Sequence, residues 1–216
     1  LIMRMKTLAG SILFSALVIV HNIANANDAA VSIIKGMSFE GLSVKSTDAE
    51  IESYLSKYPS LQCRRTDVPQ RESKIKKKII QSAKSWHCMS SARAEPMIVN
   101  IKKRGGAITH MDIQVEYPDA KGYEKVHAYF KSESEKFKAT GLVGPHVDKQ
   151  NNMSFQDSDH PGASSPTFTQ VLKVKLLSKC QNKPVHYNLT TSAMKMSGVH
   201  RASFKIQRDD AAMYCD

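Results

Sequence analysis

Carboxylates are in short supply in this chain of 216 residues: 20 Asp and Glu stand against 31 Lys and Arg, a formal charge of +11. Ten Gly and eight Pro are too few for a fibre or a Pro-rich linker. Four Cys are too few for a disulfide-dense miniprotein. No CxxC, HxxxH or HExxH spacing occurs, so no pair of metal ligands is prearranged and no thioredoxin-type redox motif is present. GxSxG and P-loop patterns are absent as well. No catalytic residue, cofactor or metal is therefore expected. What remains is 41% hydrophobic and 24% charged, a soluble globular composition of one or two domains.

The first thirty residues read as an address. Arg4 and Lys6 precede an uncharged run, Leu8 to Val20, and Ala24-Asn25-Ala26 follows. A basic start, a short apolar stretch and an A-x-A site describe a signal peptide over residues 1–26. Thirteen helical residues reach only ~20 Å, short of the ~30 Å hydrocarbon core. No later stretch reaches the ~18 apolar residues of a membrane span. The mature part, Asn27 to Asp216, is expected to be periplasmic or secreted.

Cys63, Cys88, Cys180 and Cys215 all follow that leader. An even count in an exported chain reads as disulfides, with three possible pairings. The local pairs Cys63–Cys88 and Cys180–Cys215 are favoured, one in each half.

Ile33–Val44 alternates and carries glycine, and reads as an opening strand. Thr47 and Glu50 form a T-x-x-E capping box. Ile51, Tyr54, Leu55 and Tyr58 then make one apolar stripe on a helix over Asp48–Tyr58. Strand character resumes at Ser85–Met89. Met97–Lys102 and Ala107–Tyr117 flank Lys103-Arg104-Gly105-Gly106 as a hairpin. A second helix is expected over Gly122–Thr140, stopped by Gly141. Residues 144–167 read as a mobile loop with a short strand at Met153–Phe155. Phe168–Leu177, Val185–Thr191 and His200–Gln207 close the chain as strands. The expected fold is α+β: two similar helix-plus-antiparallel-strand subdomains, 27–118 and 119–216, packed as one disulfide-stapled unit.

The stretch FEGLSVKSTDAEIESYLSKYPSLQC, Phe39 to Cys63, resembles a pattern of small exported bacterial proteins. In these a Gly-containing strand leads into an s-x-x-E-I-x-x-x-L helix, then a Cys and a meander of strands. It is similar to the BamE/SmpA-like and beta-lactamase-inhibitor-protein-like α+β modules, which can occur in tandem. The resemblance covers the first third of the mature chain. It implies an α+β fold and a non-enzymatic, protein-binding role. Gly36-Met37-Ser38 lies about ten residues upstream of the helix rather than next to it, and the lipid anchor of BamE is missing. No binding residue carries over.

The densest charge cluster is Arg64, Arg65, Arg71, Lys74, Lys76, Lys77 and Lys78. Its functional reading is an anion-facing surface for phospholipid, lipopolysaccharide or an acidic protein; its bland reading is a solvated face. Nucleic acid is disfavoured, because the cluster lacks aromatics for base stacking. His110, Asp112 and Glu116 share one face of a strand and read as its wet side. Trp86 beside Cys88 is expected to pack on the disulfide. The leading expectation is an exported module that binds an envelope or secreted protein. Binding of an anionic membrane surface through the basic cluster is the first alternative. A hydrolase with a site assembled from distant residues is the second, which a deep pocket with convergent His and carboxylate groups would favour.

Overall fold

A helix opens the described chain where the sequence pattern suggests a strand. The computed structural model describes residues 28–72, 79–91, 96–141, 154–159, 168–180, 183–196 and 199–208. The leader, Lys74, Lys76, Lys77, Lys78 and Cys215 lie outside these residues, and with Cys215 the expected Cys180–Cys215 bridge. Helix α1 spans 28–36. Ala30, Ile34 and Met37, at i, i+4 and i+7, are all buried, and that spacing prevails over the strand-like alternation of a short apolar run. A tight hairpin follows, β1 (Ser38–Phe39) and β2 (Leu42–Ser43). Its turn residues Glu40 and Gly41 have φ of 52° and 86°, the positive pair that a two-residue hairpin turn requires.

Helix α2 (Asp48–Leu55) starts as its capping box predicts. The Glu50 N–H donates to Thr47 Oγ1 at 3.2 Å, and the Thr47 N–H donates to Glu50 Oε2 at 2.7 Å. It ends at Leu55, one turn before Pro59, and Tyr58 folds back edge-on against Tyr54, ring centroids 5.3 Å apart. Helix α3 (Ala120–Ala139) begins two residues before Gly122 because Asp119 caps it. Asp119 Oδ1 accepts from the N–H groups of Lys121 and Gly122 at 2.9 and 3.2 Å. Gly141, at φ 75°, closes its end.

The strands are β3 (Gln62–Val68), β4 (Arg71–Glu72), β5 (Ile79–Ile80), β6 (Ala83–Met89), β7 (Pro96–Arg104), β8 (Ala107–Tyr117), β9 (Ser154–Asp159), β10 (Phe168–Cys180), β11 (Lys183–Met196) and β12 (Val199–Arg208). Eight of them form one antiparallel sheet in the order β3-β6-β7-β8-β12-β11-β10-β9. β4 and β5 pair separately as a two-stranded ribbon between β3 and β6. The rest of 144–167 lies outside the described residues, and β9 takes the strand expected at Met153–Phe155, present from Ser154, on to Asp159. Its polar sequence carries little apolar signal, but backbone pairing with β10, Phe168 opposite Asp159 through Lys173 opposite Ser154, makes it an edge strand.

Inward-facing residues alternate along the strands as period two demands. Trp86 and Cys88, Val99 and Ile101, Met111, Ile113 and Val115, Leu189 and Ala193, and Ala202, Phe204 and Ile206 are buried. They form one core with Ile34 of α1, Ile51 and Leu55 of α2, and Tyr123, Phe130 and Phe137 of α3. The helices therefore cover a single face of the sheet. Cys63 and Cys88 stand directly opposite each other on β3 and β6 and are joined by a disulfide. Such a bond is characteristic of oxidising, extracytoplasmic compartments. Among the described residues no helix is long and apolar enough to cross a membrane.

Candidate functional site

Burying one parity of each strand turns the other parity outward, so register alone assembles a polar face. Arg64, His87, Asn100, Asp112, Lys205 and Thr190 stand side by side across β3, β6, β7, β8, β12 and β11. His87 Nδ1 and Asn100 Oδ1 are in hydrogen-bond contact within this row. The neighbouring row brings Met89, Ile98, Gln114, Ser203 and Ser192 together, with Ser192 and Ser203 hydroxyls 2.9 Å apart. Met89, at 54% exposure, is the large apolar side chain this face offers to solvent among the described residues. Beyond it, Arg201 Nη2 meets Glu116 Oε2 at 3.3 Å.

At one end of the sheet this face runs into a hollow of about 540 Å³, walled by β3, β6, β7, β8 and β12. Lys84, Lys102, Lys103, Arg104, His110 and Arg208 line it, and among the described residues no carboxylate does. Alternation along β7 sends two consecutive lysines to different faces, and a β-bulge on the facing strand β8 accompanies it. Lys102 pairs with His110 and Lys103 with Ile108, which leaves Thr109 as the extra residue on β8. Lys102 is thus exposed, whereas Lys103 is buried and turned toward α2. A second hollow, about 680 Å³, lies beyond the Gly105-Gly106 turn and is lined by Lys35 and Lys45 together with the same Lys103 and Arg208. Two positive φ values, 58° and 87°, fit that turn to its glycines.

Asp48, in the first turn of α2, holds the buried lysine. Lys103 Nζ donates to Asp48 Oδ1 at 2.6 Å and Lys84 Nζ to Oδ2 at 2.6 Å, while Asp67 lies 3.4 Å from Lys84. Hydrogen bonds from Lys103 and then Lys84 keep the Asp48 carboxyl below its ordinary value of 3.8. The unfolded chain binds that proton more tightly. The network therefore contributes its full stability above pH 3.8 and loses it as pH falls through the lower folded-state value. Asp48→Asn leaves the Lys103 ammonium with the Ser46 carbonyl, 3.4 Å away. We expect a loss of ~1–3 kcal/mol in urea unfolding at pH 7, shrinking as the pH is taken below 4. An equal loss at both pH values would show that the pair is not the cause.

His110 is half-buried in the first hollow, and burial pushes its imidazole below the ordinary 6.5; Asp112 opposes this, and Lys205 and Lys102 reinforce it. At neutral pH the ring is uncharged, a hydrogen-bonding wall rather than another cation.

The expected basic cluster is divided by the sheet. Arg64 faces the polar row and Arg71 sits on β4, both exposed. Arg65 points the other way and is tied to α2: its Nε and Nη2 donate to the two Glu52 oxygens at 2.8 and 2.7 Å. Arg65 is thus structural, because period two places it on the helix side. Trp86 Nε1 also donates to Glu52, at 2.7 Å, which fixes the indole against α2. Among the described residues no group of three His, Cys, Asp or Glu is gathered as for a metal. His110, Asp112 and Glu116 do share the wet face of β8, and among the described residues neither hollow is lined by a carboxylate.

No family model, curated protein or solved structure matches this chain.

Sequence reasoning missed Lys84, Lys102, Lys103, Arg104 and Arg208 as neighbours. The sequence shows the run Lys102-Lys103-Arg104 before Gly-Gly, but reads Lys102 as the end of a strand and Lys103-Arg104 as part of the turn. Lys84 and Arg208, 124 positions apart in the numbering, meet only through the order of the sheet.

Proposed function

We propose that the chain is an exported, non-catalytic binding module of the bacterial envelope that receives an acidic protein partner on the uncovered face of its sheet. One observation carries this reading: helices α1, α2 and α3 pack on one face, and the other presents a register-aligned polar row in which, among the described residues, cations outnumber carboxylates. Arg64, Lys102, Arg201 and Lys205 stand there against Asp112 and Glu116. A broad, flat face with a polar rim and an exposed apolar side chain is suited to protein association, and its charge selects an acidic partner and accelerates encounter. The leader-like start and the Cys63–Cys88 bond support export.

The order of elements supports a tandem architecture, as the resemblance to inhibitor-like modules implies. A helix followed by four meandering strands occurs twice, α2 with β3, β6, β7 and β8, then α3 with β9 to β12. The two units join through their last strands, β8 and β12.

The test uses oxidised mature protein with a photo-crosslinker at position 89 or at position 131. The expected result is an adduct with one acidic envelope protein from position 89, absent from position 131 on α3 and lost with Lys205→Glu. Adducts of equal yield from both positions would refute the face. Recovery of the native protein inside the cell with its leader attached would refute export.

A further inference from the structure

The first hollow continues from the polar face and shares Lys102 with it, the second lies beyond the β7–β8 turn, and their chemistry is narrower. Strands β3, β6, β7, β8 and β12 converge on the first, and the start of α2 and the end of α1 border the second. Lys103 and Arg208 belong to both, so the hollows form one continuous cationic region on either side of the β7–β8 turn. Asp48 answers Lys84 and Lys103 from behind, and its carboxylate lines neither cavity. Lys102 and Lys45 reach solvent at the two mouths.

We infer that this region is a binding site for a phosphate-bearing polyanion, with one charged group in each hollow and Lys103 and Arg208 between them.

The physical argument is the placement of the charges. Lysine and arginine around a concave, partly dehydrated space attract phosphate more strongly than the same charges on a convex surface, because low-dielectric walls focus the field. Lys103 is buried and held in place by Asp48, in the wall that the two hollows share. Arginine adds planar, bidentate donors that match phosphate oxygens. A neutral His110 supplies a hydrogen-bonding group beside them. Volumes of about 540 and 680 Å³ suit a diphosphate or a phosphorylated sugar better than a single small ion. The same chemistry is offered by a soluble phosphate ester and by a phospholipid headgroup.

The experiment uses full-length oxidised protein and two probes. Pyrophosphate, titrated calorimetrically at low salt, stands for the soluble source. Vesicles of phosphatidic acid in phosphatidylcholine, with pure phosphatidylcholine as reference, stand for the membrane source. The variant Lys45→Glu with Lys102→Glu reverses one charge at each mouth without touching the Asp48 network. Lys121→Glu with Lys131→Glu makes the same change of net charge on α3. Binding of either probe that weakens about tenfold or more in the first variant and less than about twofold in the second supports the site. Pyrophosphate binding assigns a soluble ligand, and binding of the acidic vesicles alone assigns a headgroup. No binding of either probe, or an equal loss in both variants, overturns the inference. Lys102 belongs to both the polar face and the first hollow, so the two ideas are separated by Lys205→Glu alone, at a residue that lines neither hollow, and by Lys45→Glu alone, at a residue that lies only in the second.

Discussion

Replacing Phe39 with alanine should cost about 3–5 kcal/mol of folding stability, the usual range for deleting a buried phenyl ring. Phe39 is 1% exposed and lies at the end of β1, in the small hairpin between α1 and α2. Its ring stacks on Phe130 of α3, centroids 5.6 Å apart, and on Phe204 of β12, 5.8 Å apart with planes 7° from parallel. A residue from the first quarter of the chain thus fills the space between α3 and β12. The alanine leaves a ring-sized void that two flat neighbours and a rigid sheet cannot close. The loss should appear as a lower urea midpoint with an unchanged slope. Amide exchange should also accelerate in α3 and β12, far away in sequence. If only residues near 39 exchanged faster, the core would be divided between independent halves, and the single cluster described above would be wrong.

The second large effect belongs to the disulfide. Changing both Cys63 and Cys88 to alanine should cost ~3.5 kcal/mol, the chain-entropy value for a loop of this size. The bond closes a sequence separation of 25 residues. β3 is the strand that most needs it. It is the edge of the sheet, bonded to β6 alone, and all of its residues but Cys63 and Val68 are exposed. Without the bond, the bidentate Arg65–Glu52 contact is the side-chain tie from β3 to the helices, and an exposed pair contributes only ~0.2–1 kcal/mol. Fast exchange should then spread along 62–68 before the rest of the sheet loosens. Treatment of the native protein with dithiothreitol should reproduce the shift in midpoint. A doubly substituted protein as stable as the oxidised one would show that sheet pairing alone holds the edge.

Local structure was largely open to sequence reasoning where the signal is local. The Thr47–Glu50 box fixed the start of α2, the Tyr123, Phe130 and Phe137 stripe fixed α3, and alternation in β8 fixed which residues face the core. The Gly105-Gly106 turn and the Cys63–Cys88 bond were readable for the same reason, since partners close in sequence meet at little entropic cost. Failures came where the pattern was short or polar. The segment of α1 fits a strand as well as a helix because a few apolar residues match both periods, and the sequence of β9 marks only its first residues as strand because the rest is polar.

The chain by itself determined its charge, the start of α2, its main hairpin and which side of β8 is apolar. Only the tertiary structure decided what those strands place together. Strand order sets β8 against β12, and with it Asp112 beside Lys205 and Arg208 near Lys84. Pairing between distant strands depends on how well whole faces bury against the helices, which no local window contains. The cationic hollows therefore belong to the fold, although every residue that lines them could be read from the sequence.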